Sequence, residues 1–266
     1  FDVHGVDVSK YQGEIDWQAV KESGVAFAFI KASEGGDRSD AKFQYNWAAA
    51  KAAGVPRGAY HFVYWCRPPH EEIANFIANV PNDPEALPPV LDVEATPESK
   101  SCKRTLYRDE ALRDMRAMLE LMERHYGKKP VIYTTVDFYQ SILQPNEFSD
   151  YQIWVRSTKY PPHVPYGQRR WAFWQYQSDG QVPGIRGNVD RNAFHGTHQQ
   201  WVAFAGGASA PGHQAPRAQV AAADLPQIAP PGLKAIPGAV AAPRETAFTA
   251  APKRDLVAKI LEESDD

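Results

Sequence analysis

The sequence predicts an α/β fold: an irregular TIM-like barrel of about eight strands, with five strand–helix units followed by three helix-poor strands. Short β-rich runs alternate with helical patterns along the first part of the chain, which indicates a parallel sheet with right-handed crossovers. Beyond about residue 135, no long helical pattern separates the strands. An open doubly wound sheet is the alternative, but no Gly-x-Gly-x-x-Gly turn follows the first predicted strand.

The first five strands are short, rich in β-branched and aromatic residues, and separated by helical patterns. The predicted strands are Val3–Ser9, Ala26–Ser33, Arg57–Trp65, Pro89–Ala95 and Val131–Thr135. The predicted helices are Asp16–Ser23, Phe43–Ala53, Pro68–Val80 and, roughly, Thr105–Tyr126. The last of these helices repeats apolar residues at three- and four-residue spacing, and Gly127 is a typical stop signal after it.

The remaining strands complete the barrel without long helices. They are predicted at Tyr151–Ser157, Trp171–Ser178 and Val189–Phe194. Because the first and last strands of a closed barrel are neighbours, residues near their ends are brought together.

Composition separates a part of the chain that can form a core from a part that cannot. All 7 Trp and all 12 Tyr lie before residue 202, whereas Ala, Pro and Gly dominate 206–253. Such a segment has too little apolar bulk to offset its ordering entropy. We expect a folded domain over 1–205, a flexible linker over 206–253, and a short acidic amphipathic helix or disordered tail over 254–266, whose partner is unknown.

Charge and hydropathy argue against two kinds of partner. The chain has 29 basic and 32 acidic residues, a net charge of −3, which disfavours nucleic-acid binding through a broad basic surface. No apolar run approaches the roughly 18 to 20 residues of a membrane span. The chain starts with Phe and shows no signal peptide, as a mature secreted or periplasmic protein would.

Four carboxylates fall at strand ends that the barrel brings together. Asp7 lies near the C-terminal end of the first strand, Asp92 and Glu94 lie at that end of the fourth, and Asp190 lies in the eighth. Side chains alternate between the two faces of a strand, so Asp92 and Glu94 point the same way. We therefore expect four carboxylates at one mouth of the barrel, where active sites of this architecture form.

Crowded carboxylates are suited to cleaving glycosidic bonds. Their mutual repulsion raises at least one pKa, which leaves one group protonated and another ionised near neutral pH. A protonated carboxyl can donate to the leaving oxygen while a carboxylate stabilises positive charge at the anomeric carbon. A solvated strand face, carboxylates paired with Arg or Lys, and a Ca²⁺ or Mg²⁺ site in a metal-dependent polysaccharide hydrolase are the alternatives. No Cys/His spacing typical of zinc is present.

Aromatic residues on or near strand ends supply a second indication of sugar binding. They are Trp65, Tyr133, Trp154, Trp174 and Tyr176. Sugars present apolar C–H faces that pack on aromatic rings, although aromatic residues on strands also serve as core. Among the histidines, His61 on the third strand is the only candidate metal ligand expected at the mouth, and the sequence favours a hydrogen-bonding core residue or a substrate-lining residue over a ligand.

The sequence resembles the glycoside hydrolase family 25 lysozymes, which are N-acetylmuramidases, over about residues 4 to 200. The resemblance is carried by an ordered series of short segments rather than by one motif. They are Gly5–Gly13, Phe29–Gly35, Phe43-x-x-Asn46, Gly58–Phe62, Leu91–Glu94, Ile132–Thr134, Trp174–Tyr176, Val182–Ile185 and Val189–Phe194. The family fold is an irregular barrel of five strand–helix units plus three strands, in agreement with the pattern above.

The resemblance implies hydrolysis of the β-1,4 bond between N-acetylmuramic acid and N-acetylglucosamine in peptidoglycan, with retention and without a metal or other cofactor. It implies Glu94 as general acid and then base, Asp92 as stabiliser or nucleophile, and Asp7 and Asp190 as residues that orient the substrate. Attack by a carboxylate and attack by the substrate's own acetamido group both stay open. The implied substrate-binding residues are Glu34, His61, Tyr133, Trp154, Trp174 and Gln175.

The segment after Trp154 departs from the family pattern. After Trp154 the family usually has a small residue and a nearby Tyr, whereas Val155–Thr158 intervene before Tyr160 in this sequence. Cys66 and Cys102, the two cysteines, follow the adjacent third and fourth strands, and we predict a disulfide between them at the rim of the groove; buried unpaired thiols are the alternative.

A monomeric enzyme acting on peptidoglycan strands is the leading hypothesis, and a catalytically silent glycan-binding module is the second.

Overall fold

The computed structural model describes residues 1–96 and 102–206. The linker predicted over 206–253 and the tail helix predicted over 254–266 lie, apart from Gly206, outside the described residues.

A single sheet of nine strands closes into a barrel. Its strands are β1 (His4–Val8), β2 (Phe27–Glu34), β3 (Arg38–Ser39), β4 (Arg57–Phe62), β5 (Val90–Val93), β6 (Val131–Thr134), β7 (Gln152–Arg156), β8 (Phe173–Gly180) and β9 (Val189–Phe194). The order is β1-β9-β8-β7-β6-β5-β4-β2-β3, and pairing of β1 with β2 closes the ring. The short β3 extends β2 as an antiparallel edge, so eight strands form the barrel, and the predicted fold class is confirmed.

The last strand departs from the parallel pattern that the sequence predicted. β9 runs antiparallel to both β8 and β1. The connection from Gly180 to Val189 is too short for a crossover helix, which a parallel neighbour needs. The reversal places the beginning of β9, rather than its end, beside the C-terminal ends of the parallel strands.

The helices lie outside the barrel or at its base. They are α1 (Trp17–Glu22), α2 (Phe43–Ala52), α3 (Pro69–Asn79), α4 (Arg108–Tyr126), α5 (Val136–Phe138), α6 (His163–Tyr166) and α7 (His198–Gly206), with a 3-10 turn at Lys10–Gln12 and a π turn at Tyr139–Leu143. The four predicted helices are present, with ends that differ from the prediction by at most three residues. Helix α7 is not predicted by the sequence pattern; its Trp201 and Phe204 pack on Phe27, Phe173 and Phe194.

The hydrophobic core has two parts, one on each face of the sheet. Phe27, Phe29, Trp154 and Phe173 fill the barrel interior and are at most 2% exposed. The outer part lies between the sheet and the helices and includes the apolar face of α4, with Met115 fully buried. Aromatic side chains therefore fill this part of the barrel interior.

Glycine makes room for these rings. A Cβ at Gly5 would lie 2.5 Å from the ring of Phe27, and one at Gly58 would lie 2.8 Å from the ring of Phe29. Any larger residue would displace a ring from the interior, so glycine is required here by close approach.

No helix in the described part of the chain is long and apolar enough to cross a membrane.

Candidate active site

The carboxylates singled out in the sequence lie at the end of the barrel where the parallel strands have their C-terminal ends. This end is called the upper mouth. Asp7 near the end of β1 lies directly opposite Asp190 near the beginning of antiparallel β9. Asp92 on β5 lies in register with Phe62 on β4 and Tyr133 on β6. Asp7 and Asp92 are 7% and 3% exposed, so both carboxylates are largely removed from bulk water.

Glu94 follows directly after β5 and is partly exposed. Its backbone carbonyl accepts a hydrogen bond of 2.9 Å from the indole N–H of Trp65, and Trp65 stacks on Phe138 with 5.3 Å between ring centroids. The backbone that carries Glu94 is therefore fixed by a buried aromatic pair, while its side chain keeps access to solvent.

The negative charges at this mouth raise the pKa values of two buried tyrosines. Burial raises the pKa of Tyr60, and the charges of Asp7, Asp92 and Asp190 raise it further. Burial likewise raises the pKa of Tyr133, to which Glu94 and Asp92 add, while Arg156 acts in the opposite direction. Each of the four carboxylates thus lies within electrostatic range of at least one of these two tyrosines, and Arg156 lies within range of Tyr133.

A hydrogen-bond network fixes the carboxylate of Asp7. Oδ2 of Asp7 accepts hydrogen bonds from Nε2 of Gln175 at 2.7 Å and from Nδ2 of Asn192 at 2.9 Å. Behind them, the hydroxyl of Tyr133 donates to Gln175 at 3.0 Å, and the indole N–H of Trp154 donates to Asn192 at 2.8 Å. Since each amide oxygen accepts a hydrogen bond, each amide is turned so that its NH₂ group faces Asp7.

Lys31 and Glu34 form an ion pair on β2. Nζ of Lys31 lies 2.5 Å from Oε2 of Glu34 and 5.1 Å from the ring centroid of Phe62. Burial raises the pKa of Glu34, but Lys31 and Arg38 outweigh it and hold that pKa below its ordinary value. An irregularity in the β2–β4 register between Lys31 and Ser33 breaks the strict alternation, which lets residues three apart meet.

His61 does not lie at the mouth, where the sequence analysis had placed it. It is fully buried and bonds Ser33 Oγ through Nδ1 at 2.8 Å and Glu72 Oε2 on α3 through Nε2 at 2.6 Å. Tyr60 and Phe62 take the interior positions of β4, so alternation turns His61 toward the helices. The structure therefore places His61 outside the substrate-lining set, in a buried link between the sheet and α3.

Two tryptophans expected to bind substrate are also positioned differently. Trp154 is 2% exposed, stacks on Phe29 at 4.7 Å, and supports Asn192 rather than presenting a free face. Trp174 lies on the opposite face of β8 from Gln175. Its ring centroid is 6.2 Å from that of Trp171 and 5.7 Å from that of Tyr176. Alternation along strands accounts for both positions. Tyr133 and Gln175 do lie in the interior beside the carboxylates.

Sequence reasoning did not select Asn192, Lys31 or Arg156 as site residues. Asn192 shares a face with Asp190 two residues earlier, and Arg156 shares one with Trp154. The period-two pattern that selected Asp92 and Glu94 could have found both. Lys31 was harder to assign, because the register irregularity in β2 is not visible in the sequence.

The predicted disulfide is confirmed. Cys66, shortly after β4, is bonded to Cys102, in the segment between β5 and α4, with 5.6 Å between their Cα atoms. It ties two connections at the upper end of the barrel, one of which begins with Glu94.

The chemistry available at this mouth is acid–base catalysis by carboxyl groups. A partly exposed carboxyl can deliver a proton to a leaving oxygen, and a buried carboxylate beside it can stabilise a cationic transition state. Within residues 1–96 and 102–206, no three His, Cys, Asp or Glu side chains are grouped so as to hold a metal ion. The fold is thus an α/β barrel with acidic side chains at one mouth, the end at which barrel enzymes carry their active sites.

Comparison with known proteins identifies the family. The sequence profile of the Glycosyl hydrolases family 25 matches residues 6–185. The chain is 36% identical over 219 residues to the uncharacterized protein YegX of Escherichia coli K12, covering 78% of this chain and 75% of that protein. It is 34% identical to lysozyme M1 of Streptomyces globisporus over 214 residues, covering 76% of this chain and 71% of the lysozyme.

A solved structure agrees. The family 25 glycosyl hydrolase from Bacillus anthracis superposes with a TM-score of 0.72 at 34% identity, covering 77% of this chain and 94% of that one. The chain belongs to glycosyl hydrolase family 25 and is a glycoside hydrolase.

Proposed function

We propose that this chain is a muramidase that hydrolyses the β-1,4 bond from N-acetylmuramic acid to N-acetylglucosamine in peptidoglycan. The carrying observation is the pair of Asp92 and Glu94 at the mouth of a family 25 barrel, with Asp7 and Asp190 facing each other beside it. The similarity to a Streptomyces lysozyme supports this substrate.

Each carboxyl has a role that follows from its surroundings. Glu94, exposed enough to reach a leaving oxygen, protonates it and then removes a proton from the incoming water. Asp92, largely buried, stabilises positive charge at the anomeric carbon or attacks it. Asp7, held by two amides, and Asp190 orient the sugar through its polar groups.

Digestion of purified sacculi tests the proposal. The products are reduced with borohydride and analysed by mass spectrometry. We expect new reducing ends on N-acetylmuramic acid. Reducing ends on N-acetylglucosamine alone, or no released fragments, would contradict the proposal. Binding to sacculi without release would instead support a silent glycan-binding module.

Exhaustive chelation separates the metal-free mechanism from metal-dependent hydrolysis. We expect the rate on sacculi to be the same after dialysis against EDTA as before. Loss of activity that returns when Mg²⁺ or Ca²⁺ is added would show that the carboxylates work through a cation.

The compartment follows from the disulfide and the substrate. A disulfide persists in oxidising compartments, and peptidoglycan lies outside the cytoplasm. We infer that the protein works there as a monomer, and an elution volume matching one chain in size-exclusion chromatography is the expected result.

A further inference from the structure

Arg156 is the last residue of β7 and lies on the interior side of the sheet. It is two residues from Trp154, whose ring packs in the interior, and it is in register with Gln175, whose amide bonds Asp7. Register partners on parallel strands point to the same side. The side chain of Arg156 therefore leaves the strand at the acidic mouth.

The electrostatics agree with this position. Burial raises the pKa of Tyr133 and that of Tyr166. The negative charge of Glu94 raises both further, whereas the positive charge of Arg156 lowers both. The backbone carbonyl of Arg156 accepts a hydrogen bond of 2.7 Å from the hydroxyl of Tyr166, which anchors the strand end. The guanidinium thus extends from a fixed backbone into the region of Glu94.

Among the residues that the structure describes, no carboxylate lies within 4.0 Å of the guanidinium of Arg156. This distinguishes it from Lys31, the other cation at the mouth, which pairs with Glu34. Arg156 is also partly exposed. A guanidinium so placed can donate two parallel hydrogen bonds to a planar anion.

The glycan backbone itself is uncharged, and its hydroxyl and acetamido groups need no cation. The muramyl residue differs because its lactyl group ends in a carboxyl, which is either free or joined to a peptide with carboxylates of its own. The four acids of the mouth repel such an anion, so it can be accepted only where a cation offsets them.

We propose that Arg156 binds a carboxylate on the muramyl side chain of the substrate and thereby makes the enzyme selective for glycans that carry one. The inference rests on the proposed muramidase function and adds a specificity-determining residue on β7 to that same site.

Kinetics on three forms of soluble peptidoglycan strands test this. The first form keeps its peptides, the second has all carboxylates amidated with carbodiimide and ammonia, and the third has its peptides removed by an amidase, which frees the lactyl carboxylates. For Arg156→Gln we expect KM to rise about tenfold on peptide-bearing strands, on stripped strands or on both, with kcat nearly unchanged. We expect no change in KM on amidated strands.

The remaining arms identify the carboxylate and control for charge and folding. A rise in KM confined to stripped strands assigns the lactyl carboxylate, which is free only in that form. A rise confined to peptide-bearing strands assigns a carboxylate of the peptide, and a rise on both forms shows that Arg156 accepts either carboxylate. Arg156→Lys, which keeps the charge but loses the planar fork, should give an intermediate KM. Arg113→Gln, which removes an equal charge from an exposed position on α4, should match the wild type.

Two different failures can be told apart. If wild-type protein cleaves the strands but Arg156→Gln has the wild-type KM on both the peptide-bearing and the stripped form, or an equal rise on the amidated form, the role of Arg156 is wrong. If wild-type protein releases no muramyl reducing ends from any form, the proposed function itself is wrong.

Discussion

At the scale of single residues, the site depends on which carboxyl groups reach solvent and which are held by neighbours. Glu94 is partly exposed at the end of a fixed backbone segment, whereas Asp7 is buried and fixed by two amides. The interior tyrosine and tryptophan behind those amides do not reach the surface. Their contribution is to orient hydrogen-bond donors, so their replacement should act through Asp7.

Glu94→Gln tests the proton donor. The amide keeps the size of the side chain but carries no acidic proton, so we expect kcat on sacculi to fall about 10²- to 10⁴-fold. The circular dichroism spectrum and melting temperature should match the wild type. Glu147→Gln, a change of the same kind at a position paired with Arg108, serves as control and should keep full activity. Normal turnover by Glu94→Gln would overturn its role.

Asn192→Leu tests the support of Asp7. The change removes one donor to Asp7 and leaves the indole N–H of Trp154 without its acceptor, so we expect a loss of about 1–3 kcal/mol in the free energy of unfolding. We also expect kcat to fall more than KM rises. Urea denaturation and steady-state kinetics measure the two effects. Asn82→Leu removes an exposed hydrogen bond to the carbonyl of His125, outside the mouth, and should leave kcat unchanged. An Asn192→Leu enzyme with unaltered kcat would contradict the positioning role.

At the scale of elements, the site is positioned by strand direction and by links between strands and helices. Antiparallel β9 places Asp190 opposite Asp7, and the register irregularity in β2 brings Lys31 to Glu34. On the outer side, His61 bonds Glu72 and so connects β4 to α3; burial raises the pKa of Glu72 despite that bond. These contacts fix the positions of the strands relative to one another and to α3.

A second link ties the lower ends of elements together. Asp83, in the loop between α3 and β5, pairs with Arg57 at the beginning of β4 at 2.6 Å and with Lys51 at the end of α2 at 2.8 Å. Burial raises the pKa of Asp83, but its hydrogen bonds and the charge of Arg57 lower it to about 2. Since this folded-state pKa is below the unfolded one, the carboxylate stabilises the fold above about pH 4 and ceases to as the pH falls toward 2.

Asp83→Asn should therefore have a pH-dependent effect. We expect a loss of about 1.5–3 kcal/mol in unfolding free energy at pH 7, where the charged hydrogen bonds to Arg57 are complete. The difference from the wild type should shrink as the pH is lowered from about 4 toward 2. Chemical denaturation at a series of pH values measures it. A difference that is independent of pH would show that the ion pair is not its cause.

At the scale of the whole molecule, one barrel carries the site and one disulfide crosses its rim. The bond joins residues 36 positions apart, and the segment between them carries Asp92 and Glu94. Constraint of a loop of this length lowers the entropy of the unfolded chain, and typical disulfides add about 2–4 kcal/mol of stability.

Replacing both Cys66 and Cys102 by Ser should lower the free energy of unfolding by about 2–4 kcal/mol. For a domain of this size that corresponds to a melting temperature lower by about 5–15 °C. Calorimetry measures the shift. In the native, unreduced protein neither cysteine should react with a maleimide, and labelling of both would contradict the bond.

A chain that ends at Gly206 tests the predicted division into domains. We expect it to melt at the same temperature as the full chain and to cleave sacculi at the same rate, because the described barrel and α7 supply the core and the mouth. Lower stability or slower release of reducing ends would assign a structural or binding role to residues 207–266.

The eight barrel strands in chain order, the barrel and the disulfide partners could be predicted from the sequence, whereas the short β3 could not. The sequence also singles out four carboxylates at strand ends. Hydrophobic periodicity and position near a strand end are local properties, so they can be read from short stretches of sequence. The faces that meet could not be predicted from the sequence. In the fold, β9 runs antiparallel and His61 bonds Glu72 on α3. Trp154 is buried behind Asn192, and Asn192 and Gln175 both donate to Asp7. Those outcomes depend on strand direction, register and loop length across distant segments, and a one-residue difference in register moves a side chain to the other face.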